Sequence, residues 1–434
     1  MPRPIAVVLT LGCKLNLADS ERIATNLRST GYDVVEHVCE ADAYVVNTCS
    51  VTHVADAKSR RLIRSVRRLA PSAAVAVTGC YPQSAGFEAV SALGADLVVG
   101  MREREQAQLV EYLEARMAAS ERFAGGPPML RGDVGRPGHA RAFIKAQEGC
   151  NDVCAFCIVP RTRGREASRS IEAVVADINA AVESGAQEAV VTGTQLGAWG
   201  RDLEPRLSPA ALIAGILEGT EVARIRFSSL QPQDITPELL ALWRDPRLMP
   251  HFHLALQSGS DVTLRAMRRR YSVAQFRDAA ARIRAAVAGA AITTDVIAGF
   301  PGESDEDFEA TLAFCAEMGF ERLHCFPYSK RSHTSAALLP GHAGAGVVRE
   351  RMGRLLALGE AMFEHARKAA LGQIWPVLWE NEREISGELL WTGHTDTYVP
   401  VFMAGKALRN RITPVYLGAL YDKGVRGYSP GEML

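Results

Sequence analysis

Between Ile5 and Val99 the chain alternates short β-branched runs, at Ile5 to Thr10, Tyr44 to Thr48, Ala74 to Thr78 and Asp96 to Val99, with stretches of helical spacing. Such alternation predicts a Rossmann-like parallel sheet with crossover helices, in which ligands gather beyond the carboxyl ends of the strands. Cys13, Cys49 and Cys80 all fall at such ends. The periodicity stops between Arg122 and His139, where Gly125-Gly126 and Pro127-Pro128 stand among further Gly and Pro, and a linker is expected. From Ala142 six strand candidates recur between helical stretches: Ala142 to Ala146, Ala189 to Thr192, Ile225 to Ser228, His253 to Leu256, Thr293 to Ile297 and Arg322 to Phe326. This series predicts a partial (β/α)6 version of the eight-fold barrel, with its site at the carboxyl ends of the strands. Short alternating runs at Trp375 to Trp379, Tyr398 to Phe402 and Ile412 to Tyr416 then predict a small β-barrel. The expected α/β chain is divided into 1–116, a linker over 117–138, a barrel over 139–368 and a terminal β-barrel over 369–434. As a separate barrel, the last division is expected to be removable from about Gly372 onward without loss of the chemistry in the preceding one.

Composition narrows the class. With 47% apolar and 23% charged residues the chain matches a soluble globular protein rather than a disordered one. No run approaches the ~20 apolar residues of a membrane span, and Met1 to Thr10 lacks the order of a signal peptide, so a cytoplasmic protein without a membrane partner is expected. The 49 basic and 49 acidic residues cancel, and any nucleic-acid binding must come from local patches. Nine cysteines in a chain expected to stay in a reducing compartment point to ligands or catalysts more than to disulfides.

The run Gly149-Cys150-Asn151-Asp152-Val153-Cys154-Ala155-Phe156-Cys157 puts three thiolates within eight residues, close enough to grip three irons of one cubane cluster. The fourth iron then stays open to chelate the amino and carboxylate groups of S-adenosylmethionine and to pass an electron into its sulfonium, releasing a 5'-deoxyadenosyl radical. The alternative is zinc, which favours four protein ligands in paired spacing, and no fourth ligand lies nearby in the sequence.

Cys-x3-Cys-x-Phe-Cys after a first barrel strand resembles the radical S-adenosylmethionine superfamily. Thr10 to Asn16, Asn47 to His53, Thr78 to Tyr81, Gly149 to Arg169, Leu256 to Ser260 and Asp295 to Glu303 extend the resemblance over nearly the whole chain to its methylthiotransferases, in the MtaB-like branch acting on threonylcarbamoyladenosine of tRNA. The resemblance implies that Cys13, Cys49 and Cys80 hold a second 4Fe-4S cluster, that two S-adenosylmethionine molecules are used per turnover, and that tRNA, an electron-donor protein and a sulfur source are partners. It further implies a cofactor cradle from Phe156, Thr192, Gly193, Gln195, Ser228, Ser229, Gln257, Asp295 and Ile297, each of which has barrel filling as its plain alternative. Cys315 and Cys325 are expected to be core thiols. Gln231 departs from the glutamate the family often carries before Pro232, and His333 from a glycine before Thr334.

For RNA, Arg60, Arg64, Arg67 and Arg68 share a helical face, Arg163 and Arg165 follow the radical motif, and Arg268 to Arg270 form a third basic group. Arg163 or Arg165 is the expected partner of the threonyl carboxylate. The terminal stretch resembles the TRAM domain of RNA-modifying enzymes, with Trp391 and Tyr398 expected to stack on unpaired bases; packing or oligomerisation is the alternative. The rivals in function are methylthiolation of isopentenyladenosine in tRNA, methylthiolation of a ribosomal-protein aspartate, whose first motif usually reads Gly-Cys-Pro-Lys-Asn, and a non-enzymatic iron-sulfur sensor that binds RNA.

Overall fold

The computed structural model describes residues 3–118 and 139–432. The linker expected over 117–138 therefore lies outside the described residues, apart from Met117 and Ala118. The amino-terminal unit runs β1 (Ile5–Thr10), α1 (Lys14–Ser29), β2 (Asp33–Val35), β3 (Ala43–Thr48), α2 (His53–Leu69), β4 (Ala74–Gly79), α3 (Cys80–Ala85), α4 (Phe87–Ser91), β5 (Leu97–Val98) and α5 (Glu103–Ala118). Its strands form one parallel sheet in the order β2-β1-β3-β4-β5. Both faces are buried. Val7, Tyr44, Val46, Val75 and Val77 pack on one side, and Ala6, Val8, Val45 and Ala76 on the other, which is why these strands read as unbroken apolar runs.

The central unit runs β6 (Arg141–Glu148), α6 (Val159–Thr162), β7 (Ala167–Ser168), α7 (Ile171–Glu183), β8 (Glu188–Gly193), α8 (Pro209–Gly219), β9 (Arg224–Phe227), α9 (Pro237–Ala241), β10 (His251–His253), α10 (Asp261–Ala266), α11 (Val273–Ala286), β11 (Ala291–Ala298), α12 (Asp305–Met318), β12 (Arg322–Pro327) and α13 (Ala345–Ala369). Strands β6, β8 and β9 are parallel, as are β10, β11 and β12. Parallel bridges Ile225 to Leu248 and Leu230 to Leu254 join the two sets into a six-stranded partial barrel open between β6 and β12. Serine side chains cap α7, α8, α10, α11 and α12 from Ser170, Ser208, Ser260, Ser272 and Ser304, each accepting from a first-turn N–H. The fourth barrel strand stands earlier than expected, at His251–His253. Leu254 to Leu256 continue it irregularly, through bonds from Leu254 N to Thr293 O, from Ala255 N to Leu230 O and from Leu256 N to Thr294 Oγ1.

The terminal unit closes β13 (Ile374–Ile385), β14 (Glu388–His394), β15 (Pro400–Met403), β16 (Ile412–Tyr421) and β17 (Gly424–Tyr428) into a barrel in the order β13-β14-β15-β17-β16. It is not independent of its neighbour, contrary to expectation. Arg224 donates to the carbonyls of Pro376 (2.8 Å) and His394 (3.3 Å), and Arg226 to those of Thr395 (2.9 Å) and Asp396 (2.5 Å). Both arginines lie on β9, Arg224 at its amino end, so the β14–β15 turn and its flanking strands form a floor under the central barrel.

Candidate functional site

Two sets of three cysteines are assembled in different ways. Cys150, Cys154 and Cys157 come from the single loop after β6. It can fold back because Gly149, at φ +72°, sits where a Cβ would come within 2.0 Å of the Arg165 carbonyl oxygen. Cys13, Cys49 and Cys80 come from three strand ends. Cys13 precedes α1, Cys49 follows β3 and Cys80 opens α3. Gly79, at φ +101°, lets β4 turn against Thr48, whose carbonyl oxygen would lie 2.3 Å from an added Cβ. Asn16 and Asn47 lock the first two ends together: Asn16 Nδ2 donates to Asn47 Oδ1 (2.8 Å), and Asn47 Nδ2 to the Asn16 carbonyl (2.9 Å).

Among the described residues neither set draws its three sulfurs within 4.8 Å of one another. Zn–S bonds of ~2.3 Å in a tetrahedron would require ~3.8 Å between sulfurs, so both sets are too wide for one zinc ion and suit a larger polynuclear group. Burial pushes Cys150 up to about 11, Cys157 and Cys80 up to about 12, and Cys49 upward, which keeps the thiols neutral unless a positive centre joins them. Each set has an arginine beside it. Arg269 Nη1 donates to Cys154 Sγ at 3.1 Å. Arg163 hydrogen-bonds Cys80 and interacts electrostatically with Cys13.

That position overturns the expectation for Arg163. Its side chain is 2% exposed and donates to Glu148 Oε1 (2.6 Å) and Asn16 Oδ1 (3.0 Å), with Asp19 Oδ2 at 3.5 Å. It therefore cannot meet a phosphate or a substrate carboxylate. It instead ties the loop of the radical motif to the other cysteine set. A second barrel arginine does similar work from β12's following loop: Arg331 donates to Asp56 Oδ2 (2.6 Å), Ser50 Oγ (3.0 Å) and Ser84 Oγ (3.1 Å). Nothing in the local sequence around Arg331 marked it.

The expected cradle residues are spread around the barrel mouth. Phe156 packs with Ile297, Ala155 and Phe300. Thr192 Oγ1 accepts from Ser228 Oγ at 3.4 Å, with Ser229 half-buried beside it, and Gln195 N donates to Gln147 Oε1 (2.9 Å) next to Gly193. Gln257 takes a left-handed backbone, φ +69°, and is hydrogen-bonded to β11 on both sides, at Asp295 O and Ile297 N. Asp295 stands deeper than expected. It lies two residues inward from Ile297, with His253 Nε2 at 3.1 Å and His324 Nδ1 at 3.9 Å, so it lines the lumen and not the mouth. Arg226, paired with Glu188 at 2.9 Å, and His251 continue that polar lining.

Several expected RNA contacts are also corrected. Trp391 is 7% exposed, lies in the core of the terminal barrel and donates to the Gly405 carbonyl. Tyr398 lies with its ring centroid 3.7 Å from the Arg226 guanidinium carbon and edge-on to His251. Neither offers a free face to a base. Arg67 is spent on Gly94 O, Ala73 O and Asp96, and Arg269 on Cys154. Arg60 stacks over Tyr81, whereas Arg64, Arg68, Arg165, Arg268 and Arg270 of the expected groups are exposed, Arg270 paired with Asp152 at 2.9 Å. Cys315 is fully buried, as expected, and Cys325 partly so.

Comparison with known proteins adds the family. Residues 6–100 match the model described as "Uncharacterized protein family UPF0004", and residues 144–315 that of the radical SAM superfamily. The chain is 36% identical over 91% of its length to a threonylcarbamoyladenosine tRNA methylthiotransferase, MtaB, of Bacillus subtilis, covering 89% of that protein. It is 37% identical over 90% of its length to a tRNA-2-methylthio-N(6)-dimethylallyladenosine synthase of Anaeromyxobacter dehalogenans, covering 86% of that one. Among solved structures, the radical S-adenosylmethionine methyltransferase TsrM of Kitasatospora setae shares the fold with a TM-score of 0.54 at 15% identity, over 75% of each chain. With the loop-borne cysteine set in place and relatives matched along nearly its whole length, the chain belongs to the radical S-adenosylmethionine methylthiotransferases, enzymes that work with an iron-sulfur cluster and S-adenosylmethionine.

Proposed function

We propose that this enzyme adds a methylthio group to C2 of N6-threonylcarbamoyladenosine at position 37 of tRNA. The observation that carries the choice of nucleoside is the lining of the barrel. Glu188, Arg226, His251, His253, Asp295 and His324 face a lumen that suits a polar, charged substituent and would strand an isopentenyl group among unsatisfied polar atoms. The match to MtaB over 91% of the chain supports the same choice.

In this reading Cys150, Cys154 and Cys157 hold one 4Fe-4S cluster and Cys13, Cys49 and Cys80 a second, with two S-adenosylmethionine molecules used per turnover. Held by Cys150, Cys154 and Cys157, the first cluster would supply the electron for reductive opening of S-adenosylmethionine, and held by Cys13, Cys49 and Cys80 the second would supply a site for the sulfur to be methylated. The chain's own residues do the positioning. Phe156 and Ile297 form an apolar wall for the adenine of the cofactor, while Thr192, Gly193, Gln195, Ser228, Ser229 and Gln257 offer polar atoms and close backbone at the mouth. Arg163 and Arg331 hold the two cysteine sets at fixed separation, and for an unactivated carbon that must meet both a radical and a sulfur, such positioning dominates the rate. Exposed Arg64, Arg68 and Arg165 remain as phosphate contacts. The divisions at 117–138 and near 369 belong to this reading, as do a cytoplasmic location, an electron-donor protein and a sulfur source.

The test is anaerobic incubation of reduced enzyme with tRNAs carrying either modification, followed by nucleoside mass spectrometry. Added methylthio mass on the threonylcarbamoyl nucleoside is the expected result. Preferential conversion of the isopentenyl form, or of a ribosomal protein, would refute the substrate and leave the family standing.

A further inference from the structure

Lys14 begins α1 directly after Cys13, and α1 lies along the barrel's first strand, β6. Its side chain consequently leaves the cysteine set and enters the lumen, where its Nζ stands 6.0 Å from the centroid of the Tyr398 ring. Three units of the fold meet at that ring: Lys14 from the first, Arg141 and Arg226 from the second, and Tyr398 itself, at φ +68°, from the third. The other cations are engaged. Arg226 pairs with Glu188 and Arg141 with Glu380, each at 2.9 Å, and Lys145 pairs with Asp19 at 2.6 Å.

Lys14 differs. Among the described residues its ammonium has no hydrogen bond and no ion pair within 4.0 Å. Glu188 and Asp295 attract it from further away, but Glu188 is already paired with Arg226 and Asp295 bonded to His253. An ammonium carries three donors, and one left half-buried without acceptors is unfavourable until a partner arrives. The lumen thus offers one uncommitted positive charge, adjacent in sequence to a cysteine of the sulfur-bearing set, at the end of a polar channel. The partner that fits is an anion small enough to enter with the substrate base. Resting on the nucleoside named above, we propose that Lys14 is the specificity-determining residue that receives the threonyl carboxylate of the N6 substituent, a role expected of Arg163 or Arg165 and closed to Arg163 by its buried pairs.

The consequence is selective for charge. A charge-assisted hydrogen bond inside such a lumen is worth roughly 10- to 100-fold in kcat/KM, and an uncharged substituent cannot form it. The experiment compares wild type, Lys14→Met and Lys14→Arg on two tRNAs, one with the native threonylcarbamoyl group and one with its carboxylate converted to the amide. Wild-type enzyme should prefer the acid over the amide by roughly 10-fold or more, Lys14→Met should treat both alike, and Lys14→Arg should restore part of the preference. Iron content and melting temperature of each variant report folding. Equal losses on acid and amide in Lys14→Met would mean a structural role and overturn the inference, as would a wild-type preference retained by Lys14→Met. Wild-type enzyme that ignores both tRNAs and converts the isopentenyl form would instead overturn the nucleoside assignment itself.

Discussion

The two cysteine sets bring three thiols together in opposite ways. One is written in eight consecutive residues and needs only a loop that folds on itself. The other is written over 68 positions, from Cys13 to Cys80, and exists only if a five-stranded sheet brings three strand ends together. A local set survives as long as its loop does. A distributed set depends on the register of the sheet, on the Asn16–Asn47 bonds and on the buried arginines that come from the neighbouring barrel. The sulfur-bearing site proposed for the second set is therefore a property of two units together.

The largest effects should come from removing the sets one at a time. Changing Cys150, Cys154 and Cys157 to alanine should abolish cleavage of S-adenosylmethionine and lower reconstituted iron from about eight to about four per chain. Alanines at Cys13, Cys49 and Cys80 should give the same iron loss while cleavage persists and no methylthio product forms. Iron assay and detection of 5'-deoxyadenosine read this directly, and full iron content in either triple variant would break the two-cluster reading.

Next in size is Arg163→Met. It leaves the buried Asp19 with Lys145 and Arg22 and the half-buried Glu148 with Lys145 as their remaining cations, and removes a nearly fully buried guanidinium, so a loss of ~3–5 kcal/mol is expected in urea denaturation. An unchanged midpoint would show that the seam between the sets carries little energy. Smaller, at ~2 kcal/mol or more, is the cost of Gly149→Ala, where the added methyl meets a backbone oxygen at positive φ. Because that strain is local, iron binding at the radical motif should suffer while Cys13, Cys49 and Cys80 keep the irons proposed for them.

The smallest effect concerns the α1–β6 contact. Burial raises Glu21 to about 7, and its carboxyl accepts from Phe143 N at 3.2 Å. Its unfolded value is lower, so the native state binds the extra proton: this contribution to stability is present in full below about pH 4.5 and is lost as pH rises to about 7. Glu21→Gln keeps an acceptor and removes the titration, and should gain ~1–2 kcal/mol at pH 8 but little at pH 5. Thermal melts of both proteins at the two pH values decide it, and an equal difference at both would assign the effect elsewhere.

Legibility in the sequence follows the same divide. Spacing alone exposed Cys150, Cys154 and Cys157, and strand periodicity placed five of the six barrel strands closely. The alternation of strands and helices put Cys13, Cys49 and Cys80 at the ligand-gathering ends of one sheet, and family resemblance made them a cluster-binding set, since nothing local joins them. Arg331 and Asp56 are separated by 275 positions, and no periodicity links residues so far apart. Trp391 was misread because Leu390 and Trp391 are both buried, and the β13 irregularity between Trp379 and Asn381 breaks the in-out alternation across the strand pair. Tyr398 was misread because it lies in a turn that occupies another unit's lumen. The two departures from the family pattern have physical accounts. His333 takes φ +69°, which explains the usual glycine. Gln231 donates to Asp152 Oδ2 at 3.2 Å, a bond an ionised glutamate there would replace with repulsion.

The β14–β15 turn has a consequence for building hybrids of related enzymes. Because its carbonyls at Thr395 and Asp396 accept from Arg226, those of Pro376 and His394 on the flanking strands accept from Arg224, and its Tyr398 seats the end of the lumen, the terminal barrel is not a detachable cassette. Exchanging it for that of a relative transplants part of the reaction chamber, and a hybrid that keeps the foreign turn without matching residues at 224 and 226 leaves Arg224 without its carbonyl acceptors and Arg226 with Glu188 alone. Recombination points that respect this chain's architecture therefore lie inside the turn's flanks, with Thr395 to Val399 travelling with the central barrel.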